Sequence, residues 1–324
     1  MDIKVRRVAR AMRAGGTENI EVGTEELGRL QAGQVLVQVA AVGLNPVETL
    51  LRRGDYVVKV PFPFVLGGEG AGTVSAVGEG VSLEVGTRVC WGAIPASCGD
   101  YLVAPAAMVT TIPERLSFDE AARVPVAAIT AAGLARVWPL EGRRAVVWGA
   151  AGAVGQMLVA ILARRGVGVI GIASGTRVSR VLDAGAQFAV DRGAGDVREA
   201  VMSHTGGKGV AAVYDPIGKD TYTASLGMLA PRGCLITYGE FSGAAPEIAL
   251  QDLFRGSLFI TKYNGVRWVE GMHEFPAMVG EGLAMAAEKP GVIGEVAGRF
   301  QLERAAEAYA MLETNPNGKV LVAP

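Results

Sequence analysis

The sequence predicts an α/β protein in two parts: a doubly wound parallel sheet and a smaller all-β domain of barrel or sandwich type. Three observations predict it. The stretch from Arg144 to Arg180 reads strand, glycine turn, buried helix, strand. Further strand-like runs alternate with helical stretches as far as about residue 264. Residues 1 to about 125 are instead short strands punctuated by glycine.

The organising stretch begins with Ala145-Val146-Val147-Trp148, an apolar run too short for a helix and rich in strand formers. It turns through Gly149-Ala150-Ala151-Gly152-Ala153-Val154-Gly155. Residues 156–165 then read as a helix apolar nearly all round, hence buried, which Gly166 stops. A second apolar run, residues 167–173, completes a βαβ unit of the length a dinucleotide site requires, about 30 residues. Small residues at Gly149, Gly152 and Gly155 let the backbone approach a pyrophosphate and let the helix pack closely on its strand. The helix N-terminus presents free N–H groups and partial positive charge to that phosphate, and Ala153 and Val154 of the turn are counted with the glycines as cofactor-binding. The spacing is G-x-x-G-x-x-G, not the commoner G-x-G-x-x-G. Its place between strand and buried helix weighs for a cofactor site against a plain tight turn.

The end of the second strand selects the cofactor. An NAD site places an acidic residue there to bind the ribose 2′-hydroxyl. This chain has Ser174-Gly175-Thr176-Arg177-Val178-Ser179-Arg180, with no carboxylate before Asp183. Arg177 can hold a phosphate bidentately, and Arg192, after the expected third strand, adds a second cation. Ser174, Arg177 and Arg192 are therefore read as the 2′-phosphate site of NADPH, with Arg180 one helical turn on. The competing reading makes these arginines ordinary solvated helix residues.

Composition narrows the classes. A length of 324 residues suits two domains with a good core. A net charge of −1 and no basic tract argue against nucleic acid or an anionic membrane as partner. Three cysteines at unremarkable spacing do not make a disulfide framework, so a reducing, cytoplasmic setting is expected. The first residues lack a signal-peptide core, and no apolar run reaches about 18 residues.

In the first part, residues 34–42, 70–78, 86–91 and 99–104 read as strands. Ser117 and Glu120 form a capping box that opens a helix. After the organising unit, 210–215 and 234–239 read as the fourth and fifth strands and 257–263 as an edge strand. The tail returns to helices and a closing strand at 318–322, and is expected to rejoin the first domain.

Several blocks carry a resemblance across essentially the whole chain: Gly43-Leu44-Asn45-Pro46-Val47-Glu48, Gly67-Gly68-Glu69-Gly70-Ala71-Gly72-Thr73-Val74, the glycine turn, Val213-Tyr214-Asp215 and Gly318-Lys319-Val320. With them the chain resembles the medium-chain dehydrogenase/reductase superfamily, most closely its zinc-free quinone oxidoreductase, zeta-crystallin-like branch. The resemblance implies a GroES-like β-barrel domain at 1–125 and 265–324 and a Rossmann NADPH domain at 126–264. It places the cofactor in the cleft between them. It also implies a homodimer through the edge strand.

Zinc-dependent members use a Cys and a Gly-His-Glu block where this chain has Asn45-Pro46 and Gly68, and a four-cysteine structural site is missing. No metal is therefore expected. Without a Lewis acid, hydride donation to an electron-poor carbon is favoured over alcohol oxidation. By resemblance, Asn45 lines the nicotinamide pocket, Thr130 faces the nicotinamide, and Tyr238, Gly239 and Phe241 form a covering loop. Lys319 sits where a cation can lie near the cofactor. Each has a plainer alternative: a turn residue for Asn45, a helix-interior threonine, a solvated lysine. Quinone reductases of this type often carry a tyrosine where this chain has Leu50. Tyr56 is then the nearest phenol and, with Asn45, the catalytic candidate; a tyrosine packed on the barrel rim is the alternative. His204 and His273 read as non-catalytic. The expected activity is NADPH-dependent reduction of a quinone or other conjugated carbonyl. Enoyl-thioester or alkenal double-bond reduction is the alternative within enzymes, and a non-catalytic NADPH-binding protein the alternative outside them.

Overall fold

A computed structural model describes residues 5–314 and 316–324. The chain divides into two compact units, one running to Ile129 and resuming over Met272–Pro324, the other Thr130–Gly271. The expected divisions were at 125/126 and 264/265.

The first unit is β-rich. Its strands are β1 (Val5–Ala11), β2 (Ile20–Glu26), β3 (Gln34–Gly43), β4 (Phe64–Val65), β5 (Glu69–Val77), β6 (Arg88–Gly92), β7 (Tyr101–Pro105) and β8 (Val109–Thr111), with β15 (Val296–Gln301) and β16 (Lys319–Ala323) from the tail. A small sheet runs β2-β1-β4, and a seven-stranded sheet runs β15-β16-β3-β5-β6-β8 with β7 also on β3. Alternating apolar residues of β3, Val35, Val37 and Val39, point into one core with Trp91, Leu302, Tyr309, Val320 and Val322. The tail is thus part of this core. The β3–β5 ladder slips register twice, and at Gly72 a Cβ would stand 2.2 Å from the Gln38 carbonyl oxygen, so only glycine fits that approach. Ser117 caps as expected: its Oγ accepts from Glu120 N at 3.2 Å and its N donates to the Glu120 carboxylate at 2.8 Å. The helix it opens is only Phe118–Ala121 and gives way to a second, Pro125–Leu134.

The second unit holds β9 (Arg144–Trp148), β10 (Gly168–Ala173), β11 (Phe188–Asp191), β12 (Val210–Asp215), β13 (Leu229–Thr237) and β14 (Phe259–Lys262). All pair in parallel, in the order β11-β10-β9-β12-β13-β14. This is the doubly wound order with its switch point between β9 and β12, where such sheets open a crevice at their carboxyl ends. The helix after β9 is Ala153–Arg164, three residues earlier than its apolar run begins, because Gly152 takes the extended cap position. Gly155 to Leu162 are buried along it, and each large apolar side chain contributes roughly 1.5–3 kcal/mol by leaving water. Gly166 ends the helix with φ +74°. β14 is shorter than the expected 257–263 run, since Ser257 takes a left-handed conformation with φ +49°.

Cys90, Cys98 and Cys234 are free and buried. Burial pushes all three thiols up, Cys234 to about 11. Among the described residues no helix is long and apolar enough to cross a membrane.

Candidate functional site

In the second unit the candidate residues gather at the carboxyl ends of the strands. The turn after β9 is fixed by backbone bonds: Ala150 N donates to Ile172 O at 3.0 Å and Gly152 N to Gly149 O at 2.9 Å. Gln156 Nε2 donates to Ala151 O at 3.0 Å, holding the outer side of the loop. Gly149 has φ +61°, which glycine adopts freely. At Gly155 a Cβ would lie 2.3 Å from Gly149 O and 2.8 Å from Ala150 Cα. The missing side chain lets the helix start touch the turn, and the first-turn N–H groups of Ala153, Val154 and Gly155 have no helical partner one turn back. This cradle fits a pyrophosphate.

Ser174 follows β10 and leads into a 3₁₀ turn, Gly175–Arg177, with Arg177 half-buried. Arg192 is exposed just beyond β11, and its backbone N donates to Ala173 O at 2.9 Å. The two arginines therefore stand on the neighbouring ends of β10 and β11, where Ala173 pairs with Asp191. Asp191 is a residue that sequence reasoning did not weigh. Its Oδ1 accepts from Gly193 N at 2.9 Å and Gly175 N at 3.0 Å, and these bonds hold its carboxyl below the usual range. The carboxylate is thereby occupied with shaping the loop, and the end of β10 itself carries none.

At β12 and β13 the anchor is Asp215, the last residue of the Val213-Tyr214-Asp215 block, for which no role was read from sequence. It is buried and accepts from Ile217 N (2.7 Å), Thr221 Oγ1 (2.7 Å) and Ser225 Oγ (2.7 Å). Its carbonyl receives Tyr238 N at 3.0 Å, and Phe241 N reaches Pro216 O at 3.2 Å. Tyr238 and Gly239 are half-buried in this loop, while Phe241 is 63% exposed. Burial, with the Asp215 charge nearby, pushes the Tyr238 phenol up. A cavity of about 540 Å³, lined in part by Gly218, Tyr222, Thr237 and Gly239, adjoins the loop. Thr130 is half-buried on helix Pro125–Leu134.

In the first unit Asn45 and Lys319 are in direct contact, inside a buried polar cluster. Lys319 Nζ donates to Asn45 Oδ1 at 2.8 Å and also to Glu69 Oε1. Asn45 Nδ2 donates to Glu69 Oε1 at 2.9 Å. Glu69 Oε2 accepts from Val126 N at 2.7 Å, at the start of helix Pro125–Leu134, where a carboxylate suits the helix dipole. Glu69 is fully buried and the Lys319 side chain nine-tenths so. On the other side of Asn45, its backbone N donates to Glu48 Oε1 at 3.0 Å, and Glu48 Oε2 accepts from the phenol of Tyr309. Lys319, read from sequence as either cofactor cation or solvated side chain, is not solvated: it is the internal partner of Glu69. Glu48, Glu69 and Tyr309 were given no role from sequence. The visible signal was a carboxylate inside each of two apolar, glycine-rich blocks. Tyr56 lies outside this cluster, half-buried in the loop after helix Pro46–Arg53, with its N on Leu50 O at 3.2 Å. Leu50 is 41% exposed. His204 ends a helix and stacks on Phe188 at 4.3 Å, as a helix-end residue should. His273 sits in a 3₁₀ turn, not the surface helix expected. Among the described residues no three His, Cys, Asp or Glu side chains gather as a metal site would need.

Two family models match: an alcohol dehydrogenase GroES-like domain over residues 31–126 and a zinc-binding dehydrogenase over 153–281. The chain is 32% identical to a quinone oxidoreductase of Pseudomonas aeruginosa, over 92% of this chain and 93% of that one. It belongs to the medium-chain dehydrogenase/reductase family, in the quinone oxidoreductase, zeta-crystallin-like branch. Within the family it is also 33% identical to a 2-haloacrylate reductase of a Burkholderia species, over 91% of this chain and 92% of the relative. A mycobacterial protein solved in complex with NADPH superposes with a TM-score of 0.86 and 31% identity, covering 98% of this chain and all of that one. The parallel sheet and GroES-like unit are the architecture of this family.

Proposed function

We propose that the chain is a zinc-independent, NADPH-dependent reductase that delivers hydride to a quinone or other conjugated, electron-poor acceptor. The observation that carries this is the glycine turn closed by Gly155, with Arg177 and Arg192 on adjacent strand ends and no carboxylate at the end of β10. The relatives named above support it. NADPH, when bound, supplies the hydride. The chain's part is to bind and orient. The N–H groups of Ala153 to Gly155 receive the pyrophosphate, and Arg177 with Arg192 receives the 2′-phosphate. The loop carrying Tyr238 and Gly239 covers the nicotinamide. Asn45, fixed by Glu69 and Lys319, and Tyr56, as a phenol donor, face the acceptor.

Arg177→Ala is expected to weaken NADPH binding about 10- to 100-fold, the loss of one charge-assisted bidentate contact at roughly 1.5–3 kcal/mol, and to leave NADH binding within about twofold. Fluorescence titration of both nucleotides tests it; an equal loss for the two would remove Arg177 from the 2′-phosphate site. The 2-haloacrylate reductase relative and the exposed Leu50, where quinone reductases often have tyrosine, support activated C=C reduction as the second reading. Turnover of a 2-haloacrylate or crotonyl thioester, with none of 1,4-benzoquinone or 9,10-phenanthrenequinone, would decide for it.

We also propose a homodimer through β14. Among the described residues this strand pairs only with β13, and Phe254 (82%), Phe259 (50%) and Trp268 (42%) are exposed around it. An apolar open edge of this kind invites a second copy. Wild-type protein should elute as a dimer in size exclusion with light scattering, and Phe254→Lys/Phe259→Lys as a monomer; a monomeric wild type at 50 µM, a concentration of order 10⁻⁵ M typical of weak pairs, would refute the dimer.

A further inference from the structure

Glu48 and Tyr309 are buried where an apolar pair would cost less. Glu48 is 5% and Tyr309 0% exposed. A buried carboxyl and phenol give up water for each other, and replacing such pairs by hydrocarbon is often neutral or stabilising. Their arrangement is directional. Tyr309, on helix Ala305–Glu313, donates to Glu48 Oε2; Glu48 Oε1 accepts the backbone N–H of Asn45 at 3.0 Å. The Asn45 side chain then spans Lys319 at 2.8 Å and Glu69 at 2.9 Å.

We propose that Glu48 and Tyr309 are a positioning pair for Asn45: the phenol fixes the carboxyl, the carboxyl fixes the entry of the chain into helix Pro46–Arg53, and the Asn45 amide is thereby held toward the acceptor. The role for the acceptor rests on the reading of Asn45 as a pocket residue; the hold itself does not. The groups acting on Glu48 are Tyr309, Lys319 on β16, Glu69 on β5, the Asn45 backbone N–H and the Cys98 thiol, while Arg52, on the same helix, acts on Tyr309. The Lys319 ammonium is paired with Glu69 and acts on Glu48 only through space. Burial pushes Glu48 up to about 7, against the pull of Tyr309 and Lys319, with Glu69 adding to the rise. Its folded-state value lies above the ordinary carboxylate range. The stability it lends is therefore full in acid and lost as pH rises through about 7. Over the same interval Glu48 passes from sharing its own proton to accepting two, so the hold on Asn45 changes with pH.

The test uses Tyr309→Phe and Glu48→Gln in the full chain. The Asn45 side-chain amide, assigned in ¹H–¹⁵N spectra by its loss in Asn45→Ser, is followed from about pH 5.5 to 8.5, across the titration of a carboxyl shifted toward neutrality. In the wild type the resonance should step with a midpoint near 7, and in Glu48→Gln the step should vanish. Tyr309→Phe should move the resonance, lower kcat/KM for the acceptor about tenfold by misplacement, and leave NADPH affinity within about twofold. If Glu48→Gln does not fold, Tyr309→Phe alone decides. An Asn45 resonance flat with pH in the wild type and unmoved in Tyr309→Phe would overturn the pair. A wild type that shows the step yet turns over no acceptor would leave the pair standing and sink the reductase reading instead.

Discussion

Gly155→Ala is expected to abolish useful NADPH binding, raising the dissociation constant at least 100-fold. The added methyl would sit 2.3 Å from Gly149 O and 2.8 Å from Ala150 Cα. Both are backbone atoms of a turn already fixed by bonds to Ile172 and within itself, so no flexible side chain can yield. Helix Ala153–Arg164 must back away from its strand by about an ångström to reach ordinary contact, and its first-turn N–H groups move with it. Overpacking of this kind costs roughly 1–3 kcal/mol of stability in addition. Gly152→Ala, whose Cβ would stand 3.3 Å from Gly149 O, is the comparison. Urea unfolding should show Gly155→Ala clearly destabilised and Gly152→Ala much less so. Equal stability and unchanged NADPH titration in Gly155→Ala would show that helix and turn do not need their close contact.

Lys319→Met should be the most destabilising single change in the first unit, at about 3–5 kcal/mol. It removes the ammonium from a carboxylate with no exposed surface. Glu69 keeps Val126 N and Asn45 Nδ2, but two dipoles do not neutralise a buried charge. Glu69→Met alone leaves the ammonium without its carboxylate, but its side chain is 9% exposed and keeps Asn45 Oδ1, so its cost should be smaller. The double variant should recover part of both losses, giving a coupling of about 2 kcal/mol or more in a double-mutant cycle. A Lys319→Met chain within 1 kcal/mol of wild type would mean that water reaches Glu69.

The second unit was legible in the sequence because its signals are local. The β9–turn–helix–β10 stretch is one continuous segment, and its glycines, apolar run and stop are read in order along it. The positions of the two arginines were legible for the same reason, Arg192 directly after β11 and Arg177 four residues past the end of β10. Asp191 was not, because its meaning depends on the register that sets it beside Ala173. The Asn45 cluster was harder still. Lys319 is 250 residues from Glu69, and Tyr309 is 261 from Glu48; only the return of the tail to β3 brings them together. Carboxylates in apolar blocks look like solvated exceptions until a partner from elsewhere is placed on them. Tyr56 was singled out for its nearness to the motif in the chain, and the structure places it half-buried in the loop after helix Pro46–Arg53, outside the buried cluster.

The burial of Cys90, Cys98 and Cys234 bears on what kind of acceptor the protein can survive. Quinones, enals and haloacrylates are soft electrophiles that alkylate thiolates by conjugate addition. A thiol reacts in proportion to its ionised fraction and its access to solvent. Here both are suppressed at all three positions, Cys234 ionising only at about 11 and the other two higher still. Burial thus shields all three thiols from conjugate addition by electrophiles of this class while the chain stays folded.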